Sequence, residues 1–170
     1  LNFGTGDYTV EGWFYWTSVT AGQAKCLIQG QVSASFQLYW DGGSYVANKL
    51  TISNRLVNQL QVDFLPVVNT WYHIAAVRSS GVTTLYVNGV SLGYNGSDTT
   101  NYATNSNYFI GADANAGWYF PGYITNLRAV KGTALYTTTF KPSAIPLTNV
   151  SNTSLLLAVL SSGAATTDTS

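Results

Sequence analysis

Side chains that usually carry acid–base, nucleophilic and metal chemistry are scarce in this 170-residue chain. It has one glutamate, Glu11, one histidine, His73, and one cysteine, Cys26. Hydrolysis of a glycosidic bond normally uses two carboxylates about 5–10 Å apart. Glu11 has no acidic neighbour within three residues, and the nearest, Asp7, lies four residues away at the start of the same strand pattern. The usual carboxylate pair is therefore missing. Glu11 reads instead as a strand-face carboxylate bonded to neighbouring Ser, Thr or backbone groups. A Ser-His-Asp triad would have to run through His73, but this residue sits mid-strand between Trp71 and Ala75, and no Gly-x-Ser-x-Gly elbow occurs. We expect His73 to be hydrogen-bonded and partly buried.

One His and one Cys cannot make a tetrahedral zinc site of the usual ligands. No phosphate loop or dinucleotide fingerprint is present. Cys26 lies in the apolar run Lys25–Ile28 and reads as a small buried hydrophobe. No intrachain disulfide can form, so the core must hold the fold unaided. These readings predict a non-enzyme with no cofactor and no metal.

Binding chemistry is better represented. Sugars are held by aromatic faces against their apolar faces, with amides and carboxylates on their hydroxyls. Trp40-Asp41-Gly42-Gly43-Ser44-Tyr45 is one candidate cluster and Asp113-Ala114-Asn115-Ala116-Gly117-Trp118-Tyr119 is another. Trp40, Asp41, Tyr45, Asp113, Asn115, Trp118 and Tyr119 form the candidate set for a glycan or a subunit contact. The competing reading has Trp118 and Tyr119 capping the core or a neighbouring subunit. For Trp40, which ends an apolar strand, the packing reading is stronger. Calcium wants six to eight oxygens, usually including two or more carboxylates, and neither the Asp41 loop nor the Asp113 loop holds two acids, so no metal is expected.

Charge excludes further classes. Seven Lys and Arg balance seven Asp and Glu, and charged residues make up only 8% of the chain. The cations are spread from Lys25 to Lys141 without a cluster, which argues against nucleic-acid binding. The longest aliphatic run, Leu155–Leu160, is far shorter than the roughly 18 residues of a spanning helix, so no membrane insertion is expected. Sequons at Asn95, Asn149 and Asn152 would matter in a secreted eukaryotic protein; chance explains them in a chain rich in Asn and Thr.

The elements that must position these groups are strands. In 7–16, Tyr8, Val10, Phe14 and Trp16 share one face, and Thr9, Glu11, Trp13 and Tyr15 the other. Further strands are predicted over 24–31, 35–40, 45–53, 71–78, 108–110, 123–130 and 154–160. Val82–Val87 and Val90–Leu92 are joined by Asn88-Gly89, which supplies the positive φ angles of a type I′ hairpin. Residues 94–107 read as an exposed loop. Residues 133–137 could hold one helical turn, and Pro142 and Pro146 mark an extended crossing segment. We predict an all-β fold, a two-sheet antiparallel sandwich over 1–160 with a polar tail or linker at 161–170.

Several segments together resemble the laminin-G-like, concanavalin A-like jelly-roll superfamily. They are 7–15, Thr70–Arg78 with Leu85–Gly89, and Phe109–Ala112 leading to Phe120–Arg128. Val130–Tyr136, running to Phe140-Lys141-Pro142, resembles the branch found in large structural and tail proteins of bacteriophages, especially marine ones. The resemblance covers roughly residues 3–160. It implies a lectin-like virion module on a tail fibre, tail appendage or capsid surface. The implied partners are other virion proteins, copies of itself and host surface glycans. A secreted cellular lectin or adhesin is the alternative, and a glycoside hydrolase of the same fold stands third. Family members usually carry a strand before the position of Leu1, and many continue past a junction like Thr167–Ser170. With no methionine even at position 1, the chain reads as one module of a longer protein whose first sheet edge is covered by another segment or chain.

Overall fold

The computed structural model describes residues 1–102, 107–115 and 117–158. Among them are eleven strands and no helix: β1 (Tyr8–Trp16), β2 (Ala24–Gly30), β3 (Gln37–Asp41), β4 (Lys49–Ser53), β5 (Asn58–Asp63), β6 (Trp71–Ser79), β7 (Val82–Val87), β8 (Val90–Asn95), β9 (Tyr108–Ile110), β10 (Gly122–Lys131) and β11 (Thr153–Leu157). They form two antiparallel sheets, a six-stranded one in the order β11-β10-β1-β6-β7-β8 and a five-stranded one in the order β5-β4-β3-β2-β9. This is the predicted jelly-roll sandwich.

Alternation along each strand sends one row of side chains into the space between the sheets. Tyr8, Val10, Phe14 and Trp16 of β1 meet Leu38 and Trp40 of β3, Leu50 and Ile52 of β4 and Leu60 and Val62 of β5 in one buried cluster. Aromatic rings dominate it: Trp16 lies edge-on to Phe64, Tyr72 and Phe120, with centroids 5.8, 5.9 and 4.8 Å away. Such pairs add about 0.5–1.5 kcal/mol each beyond their burial. Cys26 is fully buried, as expected, and burial pushes its thiol well above the ordinary range.

The second face of the six-stranded sheet is partly covered. The crossing segment after β10 runs over it, and Ala134, Tyr136 and Phe140 pack on Ala75, Val77 and Tyr86. Thr9 ties this strap down: its hydroxyl donates to Thr133 O at 3.0 Å and accepts from Leu135 N at 2.9 Å. Residues 133–137 run as part of this strap, and the predicted helical turn does not form. At the Asn88-Gly89 hairpin both residues have positive φ, +51° and +79°, as predicted. A Cβ on Gly89 would lie 1.8 Å from Phe140 O, so the same glycine makes the turn and admits the strap.

The structure corrects three further expectations. The 94–107 segment is not an exposed loop throughout, since 94–95 belong to β8 and Asp98 and Tyr102 are buried. Residues 45–48 form a turn, not a strand, because Asp41 binds the backbone there. A strand at Asn58–Asp63 was not predicted; its Leu60 and Val62 point to the core between polar neighbours. Of the predicted last strand, 159–160 lie outside the described residues, as do part of the 94–107 loop and the tail at 161–170.

Candidate functional site

The carboxylate of Glu11 sits in a locked cluster. Glu11 and Arg128 are opposite one another across β1 and β10. Glu11 Oε1 accepts from Arg128 Nε at 2.9 Å and Nη2 at 2.5 Å. Glu11 Oε2 lies 3.1 Å from His73 Nε2 and accepts from the Tyr136 hydroxyl at 2.8 Å. His73 is diagonal to Glu11, because Ala75 is its direct partner on β6, a spacing within reach of long side chains. Glu11 and His73 are both about 1% exposed, and His73 Nδ1 is buried without a hydrogen-bond partner among the described residues. Burial opposes ionisation of Glu11, but the His73 hydrogen bond and the Arg128 charge outweigh it and hold the carboxyl below its ordinary 4.5. Glu11 is therefore bonded to Arg128, His73 and Tyr136, not to the expected Ser, Thr or backbone groups. His73 is hydrogen-bonded as expected but fully buried.

The second cluster lies on the outer face of the five-stranded sheet, and here the two candidate loops converge. Trp118 stacks at a tilt on Tyr39, with centroids 5.4 Å apart, and meets Tyr45 edge-on at 5.9 Å. Trp118 carries a φ of +38°, a left-handed conformation uncommon for a bulky side chain and costly by about 1–3 kcal/mol. Its carbonyl accepts from Cys26 N at 2.8 Å, which seats the loop on β2.

Two depressions flank the indole. One, of about 290 Å³, is lined by Gln37, Tyr39, Tyr45, Ser53, Arg55, Leu56, Asn58 and Trp118. The other, of about 280 Å³, is lined by Gln23, Ala24, Lys25, Ser44, Trp118 and Tyr119. Tyr45 and Tyr119 are 68% and 59% exposed. The floor of the first depression is polar and ordered: the side-chain amides of Gln29 and Gln37 bond to each other, Ser53 donates to Gln37 at 2.7 Å, and the Tyr39 hydroxyl donates to Asn58 at 3.2 Å. Burial lowers the pKa of Lys25.

The predicted site residues divide accordingly. Tyr45, Trp118 and Tyr119 reach the surface at this site. Asn115 is exposed on the same loop but lines neither depression. Trp40 is corrected: it is fully buried in the core and its indole N–H donates to Phe64 O at 2.8 Å. Asp41 is corrected too, being fully buried with its carboxylate accepting from the backbone N–H groups of Gly43, Ser44, Tyr45 and Val46 at 2.7–3.0 Å. Asp113, 9% exposed, accepts from Gly117 N and closes its own loop. Both aspartates thus build the loops that carry the aromatics and do not face a ligand.

Gln37, Tyr39, Ser53, Arg55 and Asn58 were missed by sequence reasoning. The alternation of Phe36, Leu38 and Trp40 with Gln37 and Tyr39 was the one available signal, since it places Gln37 and Tyr39 on the face away from the core.

A family profile described as the concanavalin A-like lectin/glucanases superfamily matches residues 1–135. The chain belongs to that superfamily. No curated protein sequence matches it. Among solved structures, a candidate carbohydrate-binding protein of Bacteroides ovatus is similar over 98% of this chain and 50% of its own, at 17% identity and a TM-score of 0.78. Domain 4 of AbnA, a GH43 extracellular arabinanase of Geobacillus stearothermophilus solved with arabinotriose, covers 77% of this chain and 63% of its own, at 18% identity and a TM-score of 0.59. The CBM40 of the Ruminococcus gnavus IT-sialidase covers 78% and 79%, at 14% identity and a TM-score of 0.59. At these identities the likeness is one of fold. This lectin-like chain spans about half the length of the Bacteroides protein.

Proposed function

We propose that this domain is a non-catalytic glycan-binding module and that Trp118 is its sugar platform. The observation that carries the reading is the meeting of Trp118 with Tyr45 and Tyr39 above an ordered floor of Gln37, Ser53 and Asn58. Aromatic faces take the apolar face of a sugar, and pre-ordered amides and hydroxyls take its hydroxyls without a large ordering cost. Strain at Trp118 points the same way, since sparsely populated backbone conformations concentrate at ligand sites. The solved relatives whose descriptions concern carbohydrate binding support this reading. The non-catalytic assignment is supported by Glu11, whose two oxygens are engaged by Arg128, His73 and Tyr136.

We place the module on a virion surface, as a tail fibre, tail appendage or capsid decoration, on the strength of the resemblance of residues 130–142 to phage structural proteins. Contacts with virion proteins or further copies are favoured by an exposed aromatic row on the six-stranded sheet. There Tyr15 lies 5.3 Å from Trp71 and 5.7 Å from Tyr123, centroid to centroid, and Trp71 and Tyr123 are 40% and 64% exposed. A secreted lectin or adhesin would use the Trp118 site in the same way.

The test is a glycan array probed with the wild-type domain and with Trp118→Ala. Hits that disappear in the variant support the reading. Hits unchanged in the variant, or sugar release that Glu11→Gln abolishes, would overturn it.

A further inference from the structure

Charges around Trp118 are unevenly disposed. The two acids nearest the indole, Asp41 and Asp113, turn their carboxylates onto backbone N–H groups of their own loops and are at most 9% exposed. Arg55 does the opposite, whereas Lys25 is itself only 9% exposed and its ammonium donates to Gln23 Oε1 at 2.7 Å. Arg55 lines the depression on one side of Trp118 and Lys25 the depression on the other. Neither belongs to any ion pair among the described residues, whereas Lys49, Arg78 and Arg128 are each paired with a carboxylate.

The Arg55 side chain is also held in place. Its backbone has a φ of +68° in the turn between β4 and β5, its amide donates to the Ser53 hydroxyl at 3.2 Å, and its Nη1 donates to Gln31 O. Nη2 donates to no protein group among the described residues. A guanidinium is charged at every physiological pH and presents paired N–H groups suited to a planar or tetrahedral oxyanion. In a chain of zero net charge, Arg55 is thus a cation without a carboxylate partner beside the half-buried Trp118 indole.

Resting on the reading of Trp118 as a sugar platform, we propose that the site selects acidic glycans, with Arg55 binding a carboxylate or sulfate group on a sugar whose apolar face lies against Trp118.

An array carrying each neutral glycan beside its sialylated, uronic-acid and sulfated forms tests this and separates carboxylate from sulfate. The acidic forms are expected to bind more tightly, and Arg55→Gln to reduce that preference by about tenfold, as loss of one charge-assisted hydrogen bond implies. Arg55→Lys should keep part of the preference, which a purely structural role for Arg55 in the turn would not require. Raising NaCl from about 50 to about 500 mM should weaken the acidic hits and spare the neutral ones. A neutral preference in the wild type, or an acidic preference that survives Arg55→Gln, overturns the proposal. In those cases loss of the hits in Trp118→Ala would leave the platform reading standing. Binding that Trp118→Ala does not change defeats the platform reading itself.

Discussion

Glu11 and Arg128 face each other across β1 and β10 through two N–H···O bonds to the same carboxylate oxygen, Oε1. The other oxygen is held by His73 from β6 and Tyr136 from the strap. One carboxylate therefore joins three elements distant in sequence and fastens the strap to the sheet.

Removing that carboxylate should cost far more than an exposed ion pair would. Glu11→Ala leaves Arg128 and His73 buried and unpaired, and breaking a buried pair in this way costs about 3–5 kcal/mol. Urea denaturation should show a loss of unfolding free energy of that size, with a lower midpoint and little change in slope. A shift under about 1 kcal/mol, the usual value of a surface pair, would contradict the assignment.

Stability should fall in acid for the same reason. The folded pKa of Glu11 is depressed below 4.5, so its contribution is fully present above the unfolded value and is lost as the pH drops from there through the folded value. Unfolding free energy measured between about pH 6 and pH 3 should decline below pH 4.5. Glu11→Gln should decline less steeply, though from a lower starting stability.

Two tryptophans of similar size should respond in opposite ways. Trp40→Ala empties a fully buried position and should cost about 3–5 kcal/mol, visible as a large loss in Tm. Trp118→Ala removes a half-buried surface ring, so its Tm should change little while glycan binding falls by at least about tenfold, the low end of what losing one stacking aromatic costs. Equal thermal losses in the two variants would place Trp118 in the core.

Asp41 should matter for order in the loop that carries Tyr45. Its carboxylate serves four successive backbone N–H groups, from Gly43 to Val46. Asp41→Ala leaves them without a partner, at about 1–3 kcal/mol. Hydrogen exchange should accelerate at residues 43–46 and stay unchanged in β6. A calcium-dependent change in the wild type at the same amides would instead indicate a ligand role for Asp41.

The sequence alone determined the fold class, most strand positions and the hairpin at Asn88-Gly89, because these depend on local rules: alternation with a period of two, and positive φ at a two-residue turn. It also showed that Cys26 would be buried and that a paired-carboxylate motif was missing. Tertiary structure decided what depends on which faces meet. Asp41 and Trp40 sit in an aromatic, polar loop cluster that reads as a binding site, yet pleat geometry turns Trp40 inward and the carboxylate of Asp41 onto its own loop. Arg55 carries no local signal and alternation places Tyr39 only on the outer face, since strand pairing is what brings the two to Trp118 from positions 63 and 79 residues away in the chain. The partners of Glu11 were equally hidden, because cross-strand register, set by packing over the whole sheet, is what places Arg128, His73 and Tyr136 around one carboxylate.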